Sequence, residues 1–173
     1  MRLGVDEEVV TELMGVTEHA RALSTAAAAL LLESLDGPAP LVAPIDASAA
    51  DAGVRGLLDE IGAWSETTLG QRQAPLLWRI LAHNPHYLDA TWRKEVAVMG
   101  DGALAARDKR RTALGVAMSV RGRYMIEYHA AVLRRAGDTD RDILEVLGVV
   151  DHYTTLNTLS EGMQIESDIR PPA

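Results

Sequence analysis

A chain of 173 residues with net charge −8 and 47% hydrophobic residues suits one compact domain, and it excludes both a disordered chain and a basic nucleic-acid binder. It contains no cysteine, so this chain supplies no disulfide, thiolate metal site or thiol nucleophile. Its longest apolar run, Ala26 to Leu32, is far too short to cross a membrane. Met1 to Glu8 turns acidic where a signal peptide would turn apolar, so the expected location is cytoplasmic.

Phe is absent and Ala, Leu and Arg abound, a mixture that favours helix over sheet. The first helix is predicted from Asp6 to Ser34, with Val9, Leu13, Val16, Ala20, Leu23, Ala27 and Leu30 forming one stripe at alternating spacings of four and three. Asp36-Gly37-Pro38-Ala39-Pro40 is a linker. It divides a helical segment, residues 1–36, from a larger helical domain, residues 47–173. Ser48-Ala49-Ala50-Asp51 has the form of a capping box opening a helix that buries Val54, Leu57, Leu58 and Ile61. Pro75 begins a short helix through Leu77, Ile80 and Leu81. Asn84-Pro85 reads as N-cap and first-turn proline of a helix presenting Leu88, Trp92 and Met99, closed by Gly100-Asp101-Gly102.

A further helix, Ala105 to Val120, turns Ala113, Leu114, Ala117 and Val120 inward. Gly122 interrupts the pattern, and Tyr124 to Ala136 resumes it with Met125, Tyr128, His129, Val132 and Leu133 on one side. Gly137 then caps, Thr139 with Asp142 opens the last helix, and Ile143, Val146, Leu147, Val150 and Thr154 are its expected buried side. Val149, His152, Leu156 and Leu159 make a second stripe that a monomer would leave wet, so a homo-oligomer is expected. Asp6 to Leu13 echoes Asp140 to Leu147 in pattern, and Glu18-His19 echoes Asp151-His152. Residues 1–36 therefore read either as a truncated first repeat or as a second amphipathic helix of similar phase.

Charge is uneven along the chain. Arg107, Lys109, Arg110, Arg111, Arg121 and Arg123 against Asp108 make an island of +5 within an otherwise acidic chain. Such an island needs an acidic neighbour or an anionic ligand. Arg110 shares a face with Leu114 and Ala117, which demands a partner such as Glu95 or Asp108, or a substrate carboxylate. His129 lies on an apolar face, either as a hydrogen-bonded core residue or as a proton-transfer group. Tyr124 and Tyr128, one turn apart, read first as packing residues. Trp64, Trp78 and Trp92 read as core or interface anchors. His83 and His86 flank a helix start without a third ligand, so no metal site is expected.

Gly122-Arg123-Tyr124-Met125-Ile126-Glu127-Tyr128-His129, the flanks Leu114 to Val120 and Ala130 to Gly137, and the upstream Leu81-Ala82-His83-Asn84-Pro85-His86-Tyr87-Leu88 resemble the carboxymuconolactone decarboxylase and alkylhydroperoxidase D-like superfamily, best over Gln73 to Met163. Redox members carry Cys-x-x-Cys-x-x-x-His. On that motif Gly122 takes the first cysteine position, Met125 the second and His129 the histidine. The histidine between the cysteines becomes Tyr124, and the upstream glutamate falls on Arg110.

The resemblance implies an all-α, AhpD-like helical bundle that assembles as a trimer or hexamer, without redox cysteines. It implies cofactor-free acid/base chemistry of the decarboxylase or isomerase type on a small anionic metabolite. His129 would be general acid/base, Tyr124 a hydrogen-bond donor, and Arg110, Arg121 and Arg123 the carboxylate grip. The alternative is a non-catalytic oligomeric scaffold or ligand-binding paralogue. Peroxide reduction ranks last, because Gly122 and Met125 cannot form a disulfide. Neither a nucleic-acid nor a membrane partner is expected.

Overall fold

The computed structural model describes residues 6–33, 35 and 37–166, and no strand occurs among them. Seven helices follow in order: α1 Glu7–Ala29, α2 Ala52–Thr68, α3 Leu76–Leu81, α4 Pro85–Met99, α5 Ala106–Ser119, α6 Arg123–Arg135 and α7 Asp140–Gly162. None is long and apolar enough to cross a membrane.

Most helix starts are set by side chains that accept otherwise orphaned N–H groups. Asp6 accepts from Glu8 N, Asn84 from Tyr87 N with Pro85 at the first turn, and Thr139 with Asp142 forms a reciprocal capping box. The start of α2 is displaced from the sequence expectation. Asp51, not Ser48, is its cap and accepts from Val54 N at 2.9 Å, while Ala47–Ala49 forms a separate 3-10 turn capped by Asp46.

The first helix is also shorter than its pattern suggests, ending at Ala29 rather than Ser34, which lies outside the described residues. Leu31 adopts a left-handed φ of 56°, and Leu32 N donates back to Ala27 O at 2.9 Å. This is a Schellman closure without glycine. A left-handed leucine costs about 1–2 kcal/mol, which burial of Leu32 helps to offset. The ends of α5 and α6 close in the same way, through Arg121 (φ 57°) and Gly137 (φ 95°).

α5 is the central strut, packed on α1, α6 and α7. The main core gathers Leu23, Ile61, Leu77, Leu88, Met125 and Tyr128 around Trp78 and Trp92, whose rings meet edge to face at 5.4 Å. α7 differs from the expectation. Ile143, Val146 and Val150 are only half-buried, Leu147 and Thr154 are exposed, and every residue from Asp151 to Glu166 is exposed. Its docked half lies on α5, where Val146 and Val150 reach Gly115. Beyond Val150 only a shallow cleft, where Tyr153, Thr154 and Asn157 face Val116 and Ser119, joins it to α5.

Candidate functional site

Four buried side chains from four helices meet in a line. His19 on α1 donates through Nε2 to Glu95 Oε2 on α4 at 2.8 Å. Arg110 on α5 donates through Nη2 to Glu95 Oε1 at 2.9 Å, and its Nη1 lies 3.4 Å from His129 Nδ1 on α6. All four are at least nine-tenths buried. Guanidinium has donors only, so His129 Nδ1 is the acceptor and the neutral ring carries its proton on Nε2. That Nε2 is buried without a hydrogen-bond partner, as is the Tyr128 hydroxyl.

The electrostatics fix the protonation states. Burial opposes the charge on Glu95, but Arg110 and His19 outweigh it and hold the carboxylate down to about 2. Burial, reinforced by the Arg110 charge, pulls His129 down to about 3, so it is a neutral imidazole at physiological pH. Burial pushes Tyr124 up to about 12 and raises Tyr128 further, with Glu95 adding to the latter. No group in this centre with a resolved shift titrates near neutrality, where general acid/base catalysis is most efficient.

Aromatic rings wall this line. Trp64 lies 5.7 Å from the Arg110 guanidinium, 6.2 Å from Tyr128 and 5.7 Å from Trp92, and Tyr128 meets His129 edge-on at 5.3 Å. Tyr124 points elsewhere. Its hydroxyl accepts from Leu77 N at 3.3 Å, supplying the side-chain oxygen that Pro75 cannot give to the start of α3.

The three arginines expected to grip one carboxylate do not converge. Arg110 is inside, whereas Arg121 and Arg123 are exposed beyond the far end of α5, about 13 Å away at 1.5 Å per residue. Arg123 pairs with Glu33 at 3.7 Å. Most of the basic island is answered within the chain: Lys109 by Glu12 and Gly100 O, Arg110 by Glu95, and Arg107 and Arg111 by the buried Asp138.

The former thiol positions are closed. Met125 is core, and Gly122 lies so near α1 that a Cβ there would stand 2.9 Å from Ser24 Cβ and 3.2 Å from its Oγ. Gly122 has φ −78°, so this approach, and not backbone conformation, is what requires a glycine. His83 donates to Ala43 O at 2.9 Å rather than sharing a ligand with the exposed His86. Sequence reading anticipated Glu95 as a partner of Arg110 but passed over His19. The signal was its place on the stripe, three residues after Val16 and one before Ala20.

An all-helical frame of this order is shared with a solved alkylhydroperoxidase AhpD core from Rhodospirillum rubrum ATCC 11170. The likeness has a TM-score of 0.64 at 29% identity, covering 77% of this chain and 95% of that one. The frame is thus the AhpD-like fold. The family model for the carboxymuconolactone decarboxylase family matches residues 85–165, from α4 past the end of α7. No curated protein matches the chain. The matched segment and the shared fold support the carboxymuconolactone decarboxylase/AhpD-like superfamily for this chain, which carries no Cys-x-x-Cys motif.

Proposed function

We propose that this protein is a ligand-binding member of its superfamily, in which an internal ion-pair network has replaced the thiol relay and which is non-catalytic. The observation that carries the reading is Arg110, which falls where the resemblance puts a glutamate in redox members and which is held by Glu95 and His129. A buried pair with its charges matched holds a geometry and does not change protonation between pH 5 and 8. The exposed apolar residues of α7, among them Leu156 and Leu159, support assembly into a homo-oligomer, a trimer or hexamer as in the superfamily. Nothing in the described helices calls for a membrane or nucleic-acid partner, and the reading is of a cytoplasmic protein.

The test is turnover. Purified protein offered small carboxylated lactones, and separately peroxide with an external thiol, is expected to show no rate above that of His129→Ala. Lactone decarboxylation or isomerisation that disappears in His129→Ala, with the fold intact, would replace this reading with the second one. That second reading is a cofactor-free decarboxylase or isomerase, and the partnerless Nε2–H of His129 favours it. A neutral imidazole N–H can polarise a carbonyl or support an enolate as a hydrogen-bond donor, without itself being protonated.

A further inference from the structure

Two adjoining clefts open onto Arg110. One, of about 190 Å³, is lined by Trp64, Met99, Arg107, Arg110, Val132 and Leu133 among others. Its neighbour, of about 280 Å³, shares Trp64, Met99 and Arg110 but adds the carboxylates Glu95 and Asp101. The first has two guanidinium groups and no carboxylate in its wall. The second is closed to anions by charge. Both volumes fall below the usual range for drug-sized ligands, which leaves room for about one ring.

We propose that the cleft between α2, α4, α5 and α6 binds a small apolar monocarboxylate, its ring against Trp64, Met99 and Val132 and its carboxylate toward Arg107 and Arg110. Arg110 has five N–H donors, and the bonds to Glu95 and His129 use two of them. Trp64 offers a partly exposed aromatic face beside that guanidinium, whereas Trp78 and Trp92 are each only 1% exposed. Arg107 at the rim can turn to a ligand because Asp138 keeps Arg111, with Nε at 2.8 Å.

This inference rests on the ligand-binding reading and names its ligand class. Benzoate is the probe, with benzyl alcohol as the uncharged control, followed by the indole N–H signal of Trp64 in two-dimensional NMR of the full chain. Trp64→Phe assigns that signal. Benzoate is expected to shift it saturably, with Kd on the order of 1 mM for so small a ligand, and benzyl alcohol, which lacks the charge, is expected to leave it unmoved at the same concentrations. Ala106→Phe, which fills the shared wall without touching a charge, should abolish the shift. Arg107→Gln should weaken binding by about tenfold or more. Equal binding of benzyl alcohol, benzoate binding that survives Ala106→Phe, or no shift in a folded protein would each overturn the proposal. None of these outcomes bears on the turnover assay, where His129-dependent reaction would overturn the non-catalytic reading alone.

Discussion

The first and last long helices are near twins in sequence design and opposites in environment. α1 and α7 each span 23 residues, each opens on a capping side chain followed by acidic residues, and each sets a histidine at the same offset from that cap. Yet α1 buries Val16, His19, Ala20, Leu23, Ser24 and Ala27, while α7 buries nothing fully. α1 lies against α4, α5 and α6, so its stripe is met from several sides. α7 has mainly α5. An amphipathic stripe therefore states that a face must be covered but not by what. In α1 the cover is the same chain, and in α7 the self-association proposed above would provide it.

The comparison can be broken most forcefully at the charges that hold α1. Arg110→Met leaves Glu95 buried with His19 alone, and removing one partner of such a pair costs about 3–5 kcal/mol. Chemical denaturation should register that loss, and combining it with Glu95→Leu should recover part of it. A change of under 1 kcal/mol in the single variant would mean that water reaches the pair and that α1 is held by apolar contact alone.

A smaller effect is expected where α1 meets the old thiol position. Gly122→Cys forces a side chain into Ser24, and such overpacking costs about 1–3 kcal/mol. Ser24→Gly in the same chain should restore part of the loss, measured by the same unfolding curves. Without that rescue, the contact between α1 and Gly122 is not the source of the strain.

The smallest effect on stability belongs to α7. Leu156→Asp with Leu159→Asp alters exposed residues, so a monomer would change by only about 0.5 kcal/mol. Light scattering, not denaturation, is the informative measurement. The expected outcome is a fall in molar mass to that of one chain, and an unchanged mass would show that this stripe is not the contact between copies.

The local signals were legible in the residues and the distant ones were not. Asn84-Pro85, Gly137 and the Thr139–Asp142 pair are complete instructions within a few positions, and the structure follows them. Asp51 was misread because two acceptors, Ser48 and Asp51, compete at one helix start, and only the geometry of the preceding 3-10 turn decides between them. The end of α1 escaped because a left-handed leucine carries no glycine to announce it. At the candidate site, Arg110 and His129 were visible as polar groups on apolar faces. That Glu12, Glu95 and Asp138 neutralise most of the basic island depends on helices far apart in sequence, so the island looked like an open anion trap. Tyr124 looked chemical because of its position in the motif, and its task of steadying α3 appears only when Leu77 N is placed beside it.

The contact of Gly122 with Ser24 also decides what it would take to put thiol chemistry into this scaffold. Two cysteines would have to be introduced, and the serine on another helix would have to shrink before the first of them fits. A thiol centre built on this scaffold therefore begins on α1, where position 24 must be emptied before position 122 can carry a side chain.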